Sequence, residues 1–218
     1  MPPRGQYFAH EVGQLAGVSG GTIGQWARNG YIRASQSESG EYPRIYSYQD
    51  VAEAIIVHEL LDRGVPLRVL WPVIEALRER WGAWPLQHAS LETVSAPDIT
   101  LASLLVGEGA LRAELGAHGW QLVEHTTLNL ERVAAELHRG GWATREMPDL
   151  RHIEVDPDLL SGRPCIRGRR VPVSLVAELA DTTDGDEILR EDYNLSADEI
   201  HDAVRWWRHT ATYDRVAA

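Results

Sequence analysis

The sequence has no lysine: all 21 basic residues are arginine, a bias that GC-rich codon usage alone produces. It has a single cysteine, Cys165, which excludes an internal disulfide framework. No run approaches the roughly 18 apolar residues of a membrane span, and the opening MPPRGQYF lacks the apolar stretch of a signal peptide. These absences are those of a soluble cytoplasmic protein. Also missing are a Gly-rich phosphate loop, CxxC, HExxH and GxSxG, so the sequence offers no catalytic constellation. His88, His118 and His125 have no partner at metal-ligand spacing. The acidic set Asp181, Asp184, Asp186, Glu187, Glu191 and Asp192 lacks the loop of a calcium site and reads as a solvated face. No metal, cofactor or catalytic residue is expected.

What is present begins with an uneven charge. The net charge of −11 argues against a polyanionic partner, but the acids lie mostly beyond residue 82. The first 82 residues are nearly neutral. Within them, Tyr7–Ile32 places Phe8, Val12, Leu15 and Ala16 on one helical face. Gly17 breaks the run, and Ser19 is an N-cap for a second short helix. Ile23 and Trp26 point that helix inward, leaving Thr22, Gln25, Arg28 and Asn29 outside. Two short helices joined by a Gly-containing turn are a helix-turn-helix signature, and the outer residues carry donors and acceptors suited to base edges and phosphates. An ordinary helical hairpin is the alternative.

Residues 31–81 favour the helix-turn-helix. Tyr31–Arg33, a loose tip at Ser37–Gly40 and a return strand Arg44-Ile45-Tyr46 predict a β-hairpin wing, with Arg44 in reach of a phosphate. Ser47 and Asp50 form a capping box. It opens a helix to about Arg63, with Val51, Ala54, Ile55 and Leu61 buried and Gly64 as its stop. A further helix from Leu67 to Trp81 carries the stripe Leu67, Leu70, Ile74, Leu77 and Trp81. Pro72 is expected to kink it or delay its start.

Glu11-Val12, Gly17-Val18-Ser19, Thr22, Gly30-Tyr31-Ile32, Arg44 to Ser47, Asp50-Val51 and Arg63 to Leu67 together resemble the winged helix-turn-helix of MerR-family regulators. The resemblance covers about a third of the chain. It implies DNA binding through Ser19, Thr22, Gln25, Arg28, Asn29, Arg44 and Tyr46. Gly24-Gln25-Trp26 stand where that family often has an arginine followed by aromatics, and the long coiled coil of typical members is not visible.

Residues 83–127 read as a small β-meander, with a short apolar run at Leu101–Val106 and β-compatible runs at Ala110–Leu115 and Trp120–Val123. A helix comes next, from Asn129 to Arg139, with Leu130, Val133, Ala134 and Leu137 on one face. Trp142–Leu150 reads as a linker. In the last third, Ile153–Val155 and Cys165-Ile166 are extended, Pro172 opens a helix to about Ala180, and a short helix lies around Glu187–Arg190. Ser196 and Glu199 cap a final helix with Ile200, Ala203, Val204 and Trp207 inward. The run Gly162 to Pro172 is similar to a G-[KR]-P-x-I-x-G-T-R-[IV]-P signature of a small helical domain of formally unknown function found in bacterial antitoxins. Arg169 replaces its usual threonine.

Arg163, Arg167, Arg169 and Arg170 form the densest basic cluster. They salt-bridge their own domain, contact DNA, or engage an acidic partner. The pairing of the two resemblances is similar to VapB-type antitoxins of type II toxin–antitoxin systems. The sequence therefore predicts a mainly α (α+β) protein in three parts. Residues 1–82 form a winged helix-turn-helix, residues 83–150 a β-containing connecting segment, and residues 151–218 a helical antitoxin-type domain. The implied function is neutralisation of a PIN-like nuclease toxin and autorepression on operator DNA as a homodimer. A regulator that senses a small molecule through the middle segment is the alternative.

Overall fold

The computed structural model describes residues 2–38, 41–87, 91–95, 103–106, 111–112 and 124–214. The fold is mainly α with two small sheets. The helix-turn-helix forms as its local signals require. Helix α1 (Ala9–Ala16) ends at Gly17 in the left-handed conformation, and α2 (Gly20–Arg28) starts at Ser19, whose hydroxyl accepts the Thr22 N–H. Val12, Leu15, Ala16, Ile23 and Trp26 are buried. Phe8 is not on that face: it is the residue before α1 and is 41% exposed.

The expected wing hairpin is absent among the described residues. Residues 31–38 and 41–45 are turns and bends, closed by Gln36 N–H to Ile45 O at 3.3 Å and Ile45 N–H to Ser37 Oγ at 2.6 Å. The tip at Ser39-Gly40 lies outside the described residues. The strand partner of Tyr46 is instead Tyr7, with both backbone bonds at 2.9 Å. That long-range bridge occupies the donor and acceptor a hairpin would have used, and Pro43 has no N–H to offer.

Helix α3 (Tyr48–Asp62) opens on the Ser47/Asp50 capping box and is central. Helix α1 packs on one side, and the turn at Pro85–Gln87 and the later helix Leu130–His138 pack on others. Its burial is therefore nearly all round and includes Glu53 and Glu59, while Leu61 is only half-buried. The Asp50 carboxylate also accepts from Ser35 N–H and Oγ and from Trp84 Nε1, which pins the start of the loop to α3. Helix α4 (Leu67–Trp81) buries Leu70, Ile74 and Leu77, with Leu67 and Trp81 half-buried. It starts on time and runs through Pro72. Pro72 and Arg68, whose carbonyl the proline leaves without its helical donor, are both exposed, so the break falls on the solvent side of the helix.

Strands β1 (Leu91–Ser95), β2 (Ser103–Val106), β3 (Leu111–Arg112) and β4 (Glu124–Thr127) form an antiparallel sheet of order β3-β2-β1-β4. This is not a meander: β4 returns beside β1, the Greek-key order. Trp120–Val123, His88 and His118 lie outside the described residues.

Helix α5 (Leu130–His138) buries Val133 and Leu137 but exposes Ala134. Its Glu136 joins Glu59 of α3 in an ion network. Arg63, Arg132 and Arg145 all reach Glu59, and Arg145 Nε donates to Glu136 at 2.8 Å. Burial raises the Glu59 pKa, but the three guanidinium groups outweigh it and hold it below the ordinary carboxylate value.

Trp142–Leu150 is not a linker. It contains α6 (Ala143–Glu146), and Trp142, Ala143, Thr144, Met147 and Leu150 are all buried. Trp142 N–H donates to Leu15 O at 2.7 Å, its ring stacks on His58 at 3.9 Å, and Arg145 lies over it at 3.9 Å. Gly141 sits so close to the Leu15 backbone that a Cβ there would collide with it, and a Cβ on Gly17 would strike Trp142. The segment is the wedge between the helix-turn-helix and the C-terminal part.

The C-terminal part pairs β5 (Ile153–Glu154) with β6 (Cys165-Ile166) and packs α7 (Val173–Ala180) against α8 (Gly185–Glu191) and α9 (Ala197–Thr210). In α9 the buried aromatic is Trp206, not Trp207, and Val204 is half-buried. Trp206 Nε1 reaches back to Gly140 O at 2.8 Å, which turns that face toward α6 and β5. Asp202, also buried, accepts the N–H groups of Arg151 and His152.

Candidate nucleic-acid interface

The surface of α2 is the natural starting point. Gln25, Arg28 and Asn29 are exposed at its outer side, and Thr22 is half-buried. A Cβ at Gly24 would stand in ordinary contact with the Arg28 guanidinium, 3.6 Å from Nη1. The C-terminal end of α2 is held from below by α4. Trp71 Nε1 donates to Asn29 O at 3.1 Å, and Arg78 Nη2 to Gly30 O at 2.8 Å. The outer side chains of α2 thus sit on a braced helix.

Arg44 is half-buried on the loop and makes no ion pair among the described residues. Burial pushes the Tyr46 hydroxyl upward, while Arg44 and Arg28 both pull it the other way. The structure therefore brings these two arginines into one region.

Two residues expected at the interface do not reach it. Tyr46 is fully buried, held in by its bridge to Tyr7. Ser19 is 6% exposed, with its hydroxyl committed to the Thr22 N–H and 2.9 Å from Thr22 Oγ1. An N-cap hydroxyl spent on the helix is not free for a phosphate.

The C-terminal tail also enters this region. Asp214 Oδ1 accepts the Gly20 N–H at 2.9 Å, at the start of α2. Tyr213 donates to Glu146 at 2.5 Å, and His209 Nε2 lies 2.6 Å from the same oxygen, which ties the tail to α6.

The arginine cluster of the C-terminal part does not act as a set of four. Arg169 pairs with Glu199 at 2.9 Å. Burial raises Glu199, yet the Ser196 N–H and Arg169 bring it below the usual range. The arginine in place of the pattern's threonine thus braces the α9 capping box. Arg163 is exposed and 3.7 Å from Glu11 of α1, and Arg167 donates to Ile153 O at 3.3 Å. Arg170 is exposed, without a partner among the described residues. Cys165 is buried, and burial together with Glu154 and Asp156 pushes its thiol up to about 11, which makes it a core residue and not a nucleophile. No metal-binding group of His, Cys, Asp or Glu occurs among the described residues.

The N-terminal segment has a role that no sequence pattern announces. Arg4 pairs with Asp158, Gln36 Nε2 donates to Gly5 O, Gln6 N–H to Ser161 O, and Tyr48 N–H to Arg4 O. Residues 4–7 thus strap the loop and α3 to the C-terminal part. Every partner is distant in sequence, so there is no local signal to read.

Comparison with known proteins agrees with these two parts. Residues 7–76 match the MerR HTH family regulatory protein model, and residues 153–206 match a protein of unknown function family, DUF433. A MerR-family helix-turn-helix, the element of DNA-binding regulators, stands at the N-terminus and a DUF433 domain at the C-terminus. The uncharacterized protein Rv2308 of Mycobacterium tuberculosis is 28% identical, over 100% of this chain and 96% of its own. The crystal structure of Rv2018 from the same organism superposes with a TM-score of 0.51 at 17% identity, covering 94% of this chain and 97% of that one, a likeness of fold. No helix among the described residues is long and apolar enough to cross a membrane.

Proposed function

We propose that this protein is the antitoxin of a type II toxin–antitoxin system. In this reading α2 and Arg44 bind operator DNA, and the C-terminal module occupies a PIN-like nuclease. Arg28 and Arg44 supply phosphate contacts, while Thr22, Gln25 and Asn29 face the groove. A nine-residue helix reads few bases, so the operator form is a homodimer on two half-sites. The work of such a protein is cytoplasmic and not enzymatic.

The observation that carries the toxin half is the accessibility of Arg163, Arg167 and Arg170 on the signature loop of an otherwise acidic chain. A PIN-like nuclease builds its site from carboxylates, and a guanidinium pairs with a carboxylate through two parallel hydrogen bonds. The test is co-expression with the product of the neighbouring reading frame. Rescue of growth and co-purification, both weakened by Arg163→Ala with Arg170→Ala, support the proposal. If the chain neither rescues nor co-purifies, the antitoxin reading fails and a regulator without a toxin partner replaces it.

A further inference from the structure

An open cleft of about 700 Å³ lies between the end of α2, the loop and α4, lined among others by Gly30, Arg33, Ser35, Arg44, Arg78 and Trp84. Its volume is that of a small-molecule site. Arg33 and Arg44 have no hydrogen-bonding or ionic partner among the described residues. Arg78 uses Nη1 on Glu75 at 2.9 Å and Nη2 on Gly30 O, but its Nε is buried without a partner. One lining carboxylate is present, Glu38. It is exposed and pairs with none of the three arginines. Burial pushes Glu53, which feels the charge of Arg78, up to about 8, against the pull of the Gln87 N–H and of Arg78. Burial, foremost, and the charge of Arg33 lower the Arg78 pKa, while Glu75 and Glu53 pull it the other way.

We propose that this cleft is a binding site for a phosphate-bearing anion, gripped by Arg33, Arg44 and Arg78. A buried guanidinium nitrogen with no acceptor costs free energy, and the oxygens of a phosphate group supply acceptors for three arginines. The loop between Arg33 and Arg44 is closed by two hydrogen bonds, Gln36 N–H to Ile45 O and Ile45 N–H to Ser37 Oγ. A bound anion draws those arginines together and fixes the loop beside α2, so occupancy bears on DNA binding. The phosphate comes from one of two sources, the DNA backbone or a free phosphorylated small molecule. The site shares Arg44 with the proposed DNA interface and rests on that reading only where the phosphate is the DNA backbone; a free anion there is independent of it.

The experiment is calorimetric titration of the full chain with pyrophosphate, without and with saturating duplex DNA. Arg33→Ala removes an exposed side chain without a partner and leaves the fold intact. It is expected to weaken pyrophosphate binding about tenfold or more, the loss of one charge-assisted contact. Arg190→Ala, which breaks an exposed pair with Asp186 on α8, leaves it unchanged. Saturable binding lost in Arg33→Ala supports the site. Competition with duplex then identifies the backbone phosphate as the ligand, and binding alongside duplex identifies a free anion. No saturable binding, or equal weakening in both variants, overturns the proposal. Failure to bind duplex in the absence of pyrophosphate would strike the DNA reading alone.

Discussion

Asp214 caps α2, 194 residues earlier in the chain: its carboxylate accepts the Gly20 N–H at 2.9 Å. The N-terminus of a helix carries a partial positive charge and free N–H groups, which is where a phosphate docks. In the proposed DNA-bound form, a carboxylate already there competes with a backbone phosphate. Asp214→Ala is expected to tighten duplex binding about two- to fivefold at low salt, measured by fluorescence anisotropy. Unchanged affinity would mean that this helix start does not face a phosphate.

The wedge predicts a large stability effect. Trp142 is buried between Gly17, His58 and Arg145. Trp142→Ala is expected to cost about 3–5 kcal/mol in urea unfolding, the range for truncating a buried aromatic. Gly141→Ala is also strongly destabilising, since a Cβ meets the Leu15 backbone and φ is +78°.

These two positions illustrate what is legible in the sequence and what is not. The capping boxes at Ser47/Asp50 and Ser196/Glu199 and the Gly17 stop involve atoms within four residues of each other, so composition announces them. The outward residues of α2 come from helical period alone. The wedge does not, because the Gly17 and His58 that pack on Trp142 are far away in sequence and its own neighbours look like a turn. Helix α3 shows no one-sided period because it is packed on several sides. The wing is lost to a distant partner too: Tyr46 pairs with Tyr7, not with Tyr31–Arg33. At the interface, Ser19 and Tyr46 hold motif positions that suggest contacts, but burial removes them. Arg33 and Arg78 carry no shared signal, because they lie far apart in the chain and meet only in the folded cleft.

Stability should depend on pH through Glu53. Burial raises its pKa from 4.5 to about 8, against the pull of the Gln87 N–H and Arg78. The folded chain then holds a proton between those values that the unfolded chain has released. Its contribution is full below about pH 4.5, declines as pH rises, and is gone above about 8. Glu53→Gln is expected to flatten this decline in urea midpoints measured from pH 5 to 8.5. A variant with the wild-type slope would refute the assignment.

Burial also separates the interface arginines from Tyr46. Arg28→Ala and Arg44→Ala are expected to weaken binding to all duplexes and to lower the salt slope by about one each. Tyr46→Phe removes a buried hydroxyl without a partner and is expected to leave both affinity and slope unchanged, with stability equal or slightly higher.

The most direct test of the whole account is the affinity of the purified chain for duplex from immediately upstream of its own gene against unrelated duplex of equal length, at two salt concentrations. The account predicts upstream DNA bound about a thousandfold or more tightly, with occupancy altered when the neighbouring gene's product is added. Equal affinity for both duplexes would contradict it.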